Sequence, residues 1–213
     1  MSKHRHSVSP RNLPQQSRSK ATVTAILDGT IRILEQSGWE ETTTSRVAEV
    51  AGVSVGTLYQ YFSNRDAILD ALQEREFERA TEVMQRVLQT GTFDSDLHVA
   101  RAVLKELLEL YAHAPALHRV LIVEGFRVTP TAKVLAFDLR MVTAIRGFLA
   151  AANVGIRRVN HDAAAFVAFH SVRACMLAWL LEKPPGVDNS VLVEELTDLL
   201  LRYLVEDPRT SGT

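Results

Sequence analysis

Apolar positions along the chain recur at intervals of three and four. Val23, Ile26, Leu27, Thr30, Ile33 and Leu34 mark one face of a helix, and Gly38 is placed to stop it. No stretch alternates apolar and polar residues with a period of two, and only 10 glycines and 7 prolines occur. The pattern predicts an all-α chain of about nine helices. One should run from near Asn64 to Leu88. Its middle, Gln73-Glu74-Arg75-Glu76, is charged or polar all round, which reads as a bridge between two cores and puts a domain boundary near residue 73.

Downstream, punctuation marks the elements. Asp94 or Ser95 caps a helix that ends near Ala112, and another spans about Ala116 to Glu124. Thr129-Pro130 reads as a cap followed by proline at the first helical position, with a stop near Asn153 and Gly155. Asn160 opens an apolar helix to Leu181, ended by Pro184-Pro185-Gly186. Ser190 is expected to cap the last helix, to about Val205.

The segment Thr42–Leu69 carries the most information. Thr43 caps a short helix to Ala51, Gly52 supplies a turn that favours positive φ, and Ser54 caps a second short helix, Val55 to Tyr61. Val47, Ala48, Ala51, Val53, Leu58 and Phe62 form the inward face that a helix-turn-helix needs, and small Ala48 lets two helices cross closely. The outward face of the second helix is short and polar, with Gly56, Thr57 and Gln60 flanked by Tyr59 and Tyr61. Thr57 offers a hydroxyl and a methyl to base edges, and Gln60 has the geometry to pair with adenine. The tyrosines suit phosphate contact, with core packing as the alternative; Phe62 and Trp39 read as packing residues. Asn64 caps the next helix, whose free N–H groups and Arg65 make a phosphate clamp.

These residues resemble the DNA-binding domain of the TetR family of transcriptional repressors. The resemblance runs from about Ser17 to Leu72 through Gly38-Trp39, Thr43, Val47-Ala48, Ala51-Gly52-Val53-Ser54, Gly56-Thr57-Leu58-Tyr59, Tyr61-Phe62 and Arg65. Arg46 departs from it, standing where the family often has an acid, so the reciprocal capping box from Thr43 is missing; a cation there suits a phosphate. The resemblance implies DNA contact by Thr43, Thr44, Ser45, Arg46, Ser54, Val55 and Gly56. It implies the same for Thr57, Tyr59, Gln60, Tyr61 and Arg65.

It also implies a helix-turn-helix domain over 17–73, a ligand-binding and dimerisation domain over 74–206 and a tail over 207–213. The last two helices would pair with those of a twin subunit through Phe166, Val172, Met176, Trp179, Leu192, Leu196, Leu199, Leu200 and Tyr203. A cavity for a small, largely apolar inducer would lie among the middle helices. Tyr111, His118, Leu121, Phe126 and Phe137 are candidate contacts, as are Arg140, Met141, Phe169, His170 and Arg173. Arg140 or Arg173 would suit an anion. The expected activity is a homodimeric repressor released from a pseudo-palindromic operator in double-stranded DNA by that inducer. An all-helical binding or scaffold protein without DNA regulation is the alternative.

Composition sharpens this picture in a few places. Hydrophobic residues make up 46% and charged residues 23% of the 213, which fits a packed globular chain. The formal net charge is -1, so a uniformly basic coat is excluded and a local basic patch is not. Residues 1–20 nevertheless hold Lys3, Arg5, Arg11, Arg18 and Lys20 and no acid. Residues 1–16 read as a basic arm, either a solvated tail or a strip that follows DNA phosphates or a minor groove. The single cysteine, Cys175, excludes an internal disulfide and lies in an apolar run, where an inert thiol is expected.

Ala174–Leu181, the longest apolar run, falls short of the ~20 residues a membrane span needs. With no apolar stretch behind the basic N-terminus, a cytoplasmic protein is expected. His113 and His118 are wrongly spaced for a helical metal pair, and no HExxH, glycine-rich phosphate loop or GxSxG occurs. Neither an enzyme nor a cofactor is expected.

Overall fold

A computed structural model describes residues 13–90, 96–151 and 160–205. The described residues form ten helical elements: α1 (Leu13–Ser37), α2 (Thr44–Ala51), α3 (Val55–Tyr61), α4 (Arg65–Thr90), α5 (Asp96–His113), α6 (Pro115–Val123), α7 (Gly125–Val128), α8 (Thr131–Ala151), α9 (His161–Glu182) and α10 (Asn189–Leu204). The expected all-α fold is present. The element beyond the nine expected is α7, a single turn of 4 residues. The chain divides into two compact units, Met1–Ile68 and Leu69–Thr213.

In the first unit α1 packs on α2, and α2 leads into α3. Its core is Ile26, Leu27, Ile33, Leu34, Val47, Ala48, Leu58 and Phe62, all buried. Full burial of a Leu, Ile, Val or Phe side chain contributes about 1.5–3 kcal/mol. Close approach of α1 to α2 depends on Gly29: a Cβ there would lie 3.2 Å from the Ala51 backbone nitrogen. Arg32 on α1 reaches across to donate to the Val50 carbonyl at 3.2 Å, satisfying an otherwise free acceptor at the end of α2.

In the second unit the main pairings are α5 with α10 and α8 with α9. The core joins Val83, Met84 and Val87 of α4 to Leu104 and Leu108 of α5, Phe137 and Met141 of α8, Phe169 and Met176 of α9, and Leu196 and Leu200 of α10. Phe77 stacks on Phe137 with ring centroids 4.2 Å apart. The start of α8 is tied to α4 through Lys133, whose Nζ donates to Asp70 at 2.8 Å and Glu74 at 3.1 Å.

Several expectations change. The turn Gln73–Glu76 is not polar on all sides: Glu76 is 4% exposed, because its spacing of four from Leu72 and Ala80 puts it on the buried face. Thr129 does not cap α8; it ends α7, and its buried hydroxyl finds no hydrogen-bond partner among the described residues. The cap of α10 is Asp188, which accepts from the Ser190 and Val191 N–H groups, while the Ser190 hydroxyl donates to it. A carboxylate there also meets the positive end of the helix. Leu13–Gln16 belong to α1, whereas the rest of the expected arm, the caps Asp94 and Ser95, the stops Asn153 and Gly155, and the tail lie outside the described residues. Cys175 is exposed, since the apolar run around it faces more than one direction.

Helix α9 has 22 residues and contains an 18-residue stretch of mean hydropathy 1.6, long and apolar enough to span a bilayer by those criteria. An apolar run of eight had suggested otherwise. Its Arg173 pairs with Asp138 at 3.0 Å and its Phe169 and Met176 are buried in the core, while Phe166, Val167 and Leu181 stay exposed.

Candidate functional site

The helix-turn-helix is built as its residues dictate. The Thr43 hydroxyl oxygen accepts from the Arg46 N–H at 3.3 Å, a cap that contributes about 1 kcal/mol. Gly52 closes α2 with φ of 70°, in the left-handed region where a Cβ is unfavourable. The Val53 N–H then donates to the Ala48 carbonyl at 3.0 Å. The Ser54 Oγ accepts from the Thr57 N–H at 3.0 Å, and its hydroxyl pairs with that of Thr57 at 2.8 Å. Leu58 is fully buried beneath α3 and Phe62 is 8% exposed.

The opposite face of α3 is open. Val55, Gly56, Tyr59, Gln60 and Tyr61 are exposed, and Thr57 is half-buried. The Tyr59 hydroxyl pairs with the Thr44 hydroxyl at 3.1 Å, tying the start of α2 to α3; Ser45 is exposed beside it. Two cations are held by partners within the unit. Arg46 meets Glu41 at 3.4 Å and donates to the Ser37 hydroxyl at 3.0 Å. The Arg65 guanidinium lies 4.5 Å above the Trp39 ring, a cation–π contact at the first turn of α4. Trp39 is thus both a packing residue and the platform for Arg65. Asn64 caps α4 by accepting from the Ala67 N–H at 2.8 Å.

Besides a more open cleft of about 460 Å³ beside Trp179 and Pro184, two chambers adjoin in the second unit. The larger, of about 120 Å³, is almost wholly apolar, with Met84, Leu107, Phe137, Met141, Phe148 and Phe169 among its walls. The smaller, of about 60 Å³, is more polar and is lined by Gln73, Glu76, Tyr111, His118, Leu121 and Arg173 among others. Ala80, Tyr111, Phe137, Arg173 and Leu177 line both. Burial pushes the His118 imidazole down to about 4, with Arg79 adding to the effect, and raises the Tyr111 phenol. Burial raises Glu76 too, opposed by Arg79 and Arg75. His118 and Glu76, 3.7 Å apart, are therefore not an ion pair at neutral pH, because the imidazole is uncharged.

Of the expected ligand contacts, Tyr111, His118, Leu121, Phe137, Met141, Phe169 and Arg173 line this space. Arg140 is exposed and lines neither chamber. His170 packs against the rings of Phe166 and Phe169 at 4.4 and 4.9 Å instead. The Phe126 side chain lies outside the description. Arg173, one of the two cations expected to suit an anion, is paired with Asp138 at 3.0 Å. Glu76 was missed, although its register with Leu72 and Ala80 marked it.

The expected dimerisation set divides in two. Met176, Leu192, Leu196 and Leu200 are buried in the chain's own core, and Val172 lines the larger chamber. The Trp179 Nε1–H donates to the Val187 carbonyl at 2.7 Å. Val172 and Trp179 are half-buried, so the four buried residues serve the chain's own core while these two keep some exposed surface. Phe166 and Leu199, 57% and 47% exposed, stay open, as do Val167 and Val191, while Tyr203 is half-buried.

Among the described residues no group of three histidine, cysteine, aspartate or glutamate side chains is placed to hold a metal.

Two family models match the chain: that of bacterial regulatory proteins of the tetR family over residues 26–72, and that of the tetracyclin repressor-like C-terminal domain over residues 98–204. The HTH-type transcriptional repressor KstR of Mycolicibacterium smegmatis is 41% identical over 66 residues, which are 31% of this chain and 32% of the relative. The match therefore spans about a third of that relative's length. The fatty acid degradation regulator FadR of Bacillus halodurans superposes with a TM-score of 0.67 at 18% identity, over 84% of this chain and 97% of that one. Thermus thermophilus FadR, solved in complex with lauroyl-CoA, superposes with a TM-score of 0.61 at 20% identity, over 90% of this chain and 100% of that one.

Proposed function

The chain belongs to the TetR family of bacterial regulatory proteins, and from that membership we propose that it is a homodimeric transcriptional repressor released from operator DNA by a small apolar ligand. The observation that carries the reading is the open face of α3. A capped two-helix unit holds exposed Gly56 and Gln60 and half-buried Thr57 over a buried Leu58, as a helix entering a major groove requires. In this reading Thr57 and Gln60 read bases, aided by Val55 and by close backbone approach at Gly56. Thr43, Thr44, Ser45, Ser54, Tyr59, Tyr61 and Arg65 contact phosphates. Arg46 contributes once it leaves Glu41.

The ligand occupies the two chambers of the second unit. Lauroyl-CoA in the Thermus thermophilus relative supports a ligand with an apolar body. Helix α4 carries Arg65 at its start and Ala80 and Met84 in the cavity wall. A ligand there acts on the helix that bears a phosphate contact. A coupling of about 1–3 kcal/mol is enough to change operator affinity 5–150-fold. The protein works in the cytoplasm, where its DNA is. Exposed Phe166 and Val167 on α9 and Val191 and Leu199 on α10 supply the apolar surface for a second copy.

The test is a fluorescence-anisotropy titration on the DNA flanking the gene, with random DNA as control. Thr57→Ala removes the hydroxyl pair with Ser54 but keeps the Thr57 N–H bond that caps α3, so the helix should still form. It should cost about 1–3 kcal/mol on the specific site and little on random DNA. Equal weakening on both would remove Thr57 from base recognition, and no preference for flanking DNA in the unaltered protein would sink the repressor reading.

A further inference from the structure

The smaller chamber ends on two hydrogen-bond acceptors that face each other. Glu76 Oε2 and His118 Nε2 are 3.7 Å apart, on side chains 4% and 6% exposed. Neither atom has a hydrogen-bond partner among the described residues. The remaining atoms of both groups are in use. Glu76 Oε1 accepts from Arg79 Nη1 at 3.2 Å. His118 bonds the Leu110 carbonyl, which only a ring N–H can do. With Nε2 unpartnered, that donor is Nδ1, so Nε2 presents a lone pair. Two buried acceptors without a donor between them are costly, and a group bearing hydrogen on oxygen or nitrogen satisfies them.

Charge narrows the class. A carboxylate or phosphate would meet the free oxygen of Glu76. A cation would meet Arg79, and also Arg75, whose Nε is 3.8 Å from the same carboxylate; two guanidinium groups beside one carboxylate leave no place for a further positive charge. Arg173 is matched by Asp138 and adds no net charge. The head group that fits is neutral and donates. Size narrows it further. The apolar chamber of about 120 Å³ is of the order of a ~150 Å³ cavity that takes benzene. Phe137 and Phe169, with rings 6.2 Å apart edge to face, give one wall the geometry that packs well against another ring.

We propose that the cavity selects a neutral one-ring ligand bearing an O–H or N–H head group, a phenol or an arylamine. Its head lies between Glu76 and His118 and its ring among Phe137, Met141 and Phe169. This rests on the second unit being a ligand-binding unit, and it adds the chemistry of the ligand. It also separates this chain from a regulator of anionic ligands, since an acid head placed between Glu76 and His118 would bring its own lone pairs against two acceptors that lack a donor.

The test is isothermal titration of the full chain at pH 7.5 with five compounds that share one ring: toluene, p-cresol, p-toluidine, 4-methylanisole and p-toluate. The expected result is that p-cresol and p-toluidine bind at least tenfold more tightly than 4-methylanisole, which has the oxygen without the hydrogen, and that p-toluate binds weakest. In Glu76→Gln the ratio of p-cresol to 4-methylanisole should fall below threefold while toluene binds as before; His118→Asn should also lower that ratio. If 4-methylanisole matches p-cresol in the unaltered protein, the buried acceptors do not read the ligand and the proposal fails, though the cavity remains a ligand site. Tightest binding by p-toluate has the same consequence. If none of the five binds, the proposal falls together with the reading of these chambers as a ligand site.

Discussion

His118 makes the stability of the second unit depend on pH. It is 5% exposed, and burial lowers its pKa from 6.5 to about 4. A folded-state value below the unfolded one means that the unfolded chain takes up the proton first. The associated stability is fully present above pH 6.5 and is lost as pH falls toward 4. At pH 5 the unfolded imidazole is about 1.5 units below its own pKa while the folded one is still neutral. Each unit is worth about 1.36 kcal/mol, so the loss from pH 8 to pH 5 is about 2 kcal/mol. That is a large share of a typical 5–15 kcal/mol. Glu76 works in the opposite sense, because its raised pKa lets the folded state hold a proton more firmly as pH falls toward 4.5. Comparison with His118→Asn isolates the imidazole. Urea unfolding at pH 8 and pH 5 should show the unaltered protein losing about 2 kcal/mol more than the variant. Parallel losses would mean that the imidazole titrates normally and is not held neutral by burial, contrary to the reasoning.

Arg65→Ala should weaken binding to all DNA sequences alike and make the slope of log affinity against log salt shallower by about two units per dimer, one phosphate contact per subunit. Circular dichroism should stay native, since Arg65 rests on the Trp39 face rather than in the core. Loss of sequence preference with an unchanged slope would move Arg65 to a base edge. Phe166→Asp and Leu199→Asp should give folded monomers in sedimentation velocity. Leu196→Asp should unfold the chain by burying an unpaired charge; a folded Leu196→Asp monomer would contradict the core assignment. Gly29→Leu should destabilise the first unit by about 1–3 kcal/mol through overpacking against Ala51, read as a lower urea midpoint, and an unchanged midpoint would mean that α1 and α2 separate freely.

Local signals were the legible ones. Thr43, Gly52, Ser54 and Asn64 act within four residues of themselves, so caps and turns in the first unit fall where the sequence puts them. The outward face of α3 follows from the same register. Contacts set by tertiary packing were harder to read. Arg65 meets Trp39 across 26 positions, and Gly29 meets Ala51 across 22; no pattern in either segment announces the partner. In the second unit, apolar residues on α9 and α10 look alike in sequence whether they face their own chain or open outward, which is why Leu196 and Leu199 were grouped together. Glu76 carried a signal that its charge masked, since a polar residue in heptad-like register with leucine and alanine is easily read as solvated. Arg140 drew attention by its charge alone, and its position on α8 turns it away from the cavity.

The chain has 2 tryptophans, and each belongs to a different unit. Trp39 lies under a guanidinium, while Trp179 donates its indole hydrogen to Val187 within the second unit. A cation above an indole perturbs its excited state. A phosphate that draws Arg65 away should therefore change the colour and yield of Trp39 emission. With Trp179→Phe the light comes from the first unit alone, and with Trp39→Phe from the second alone. The protein thus carries its own optical gauges, one for DNA arrival and one for events in the helical core. The order in which the two respond after rapid mixing with DNA or with an aromatic ligand can be timed without attaching a dye.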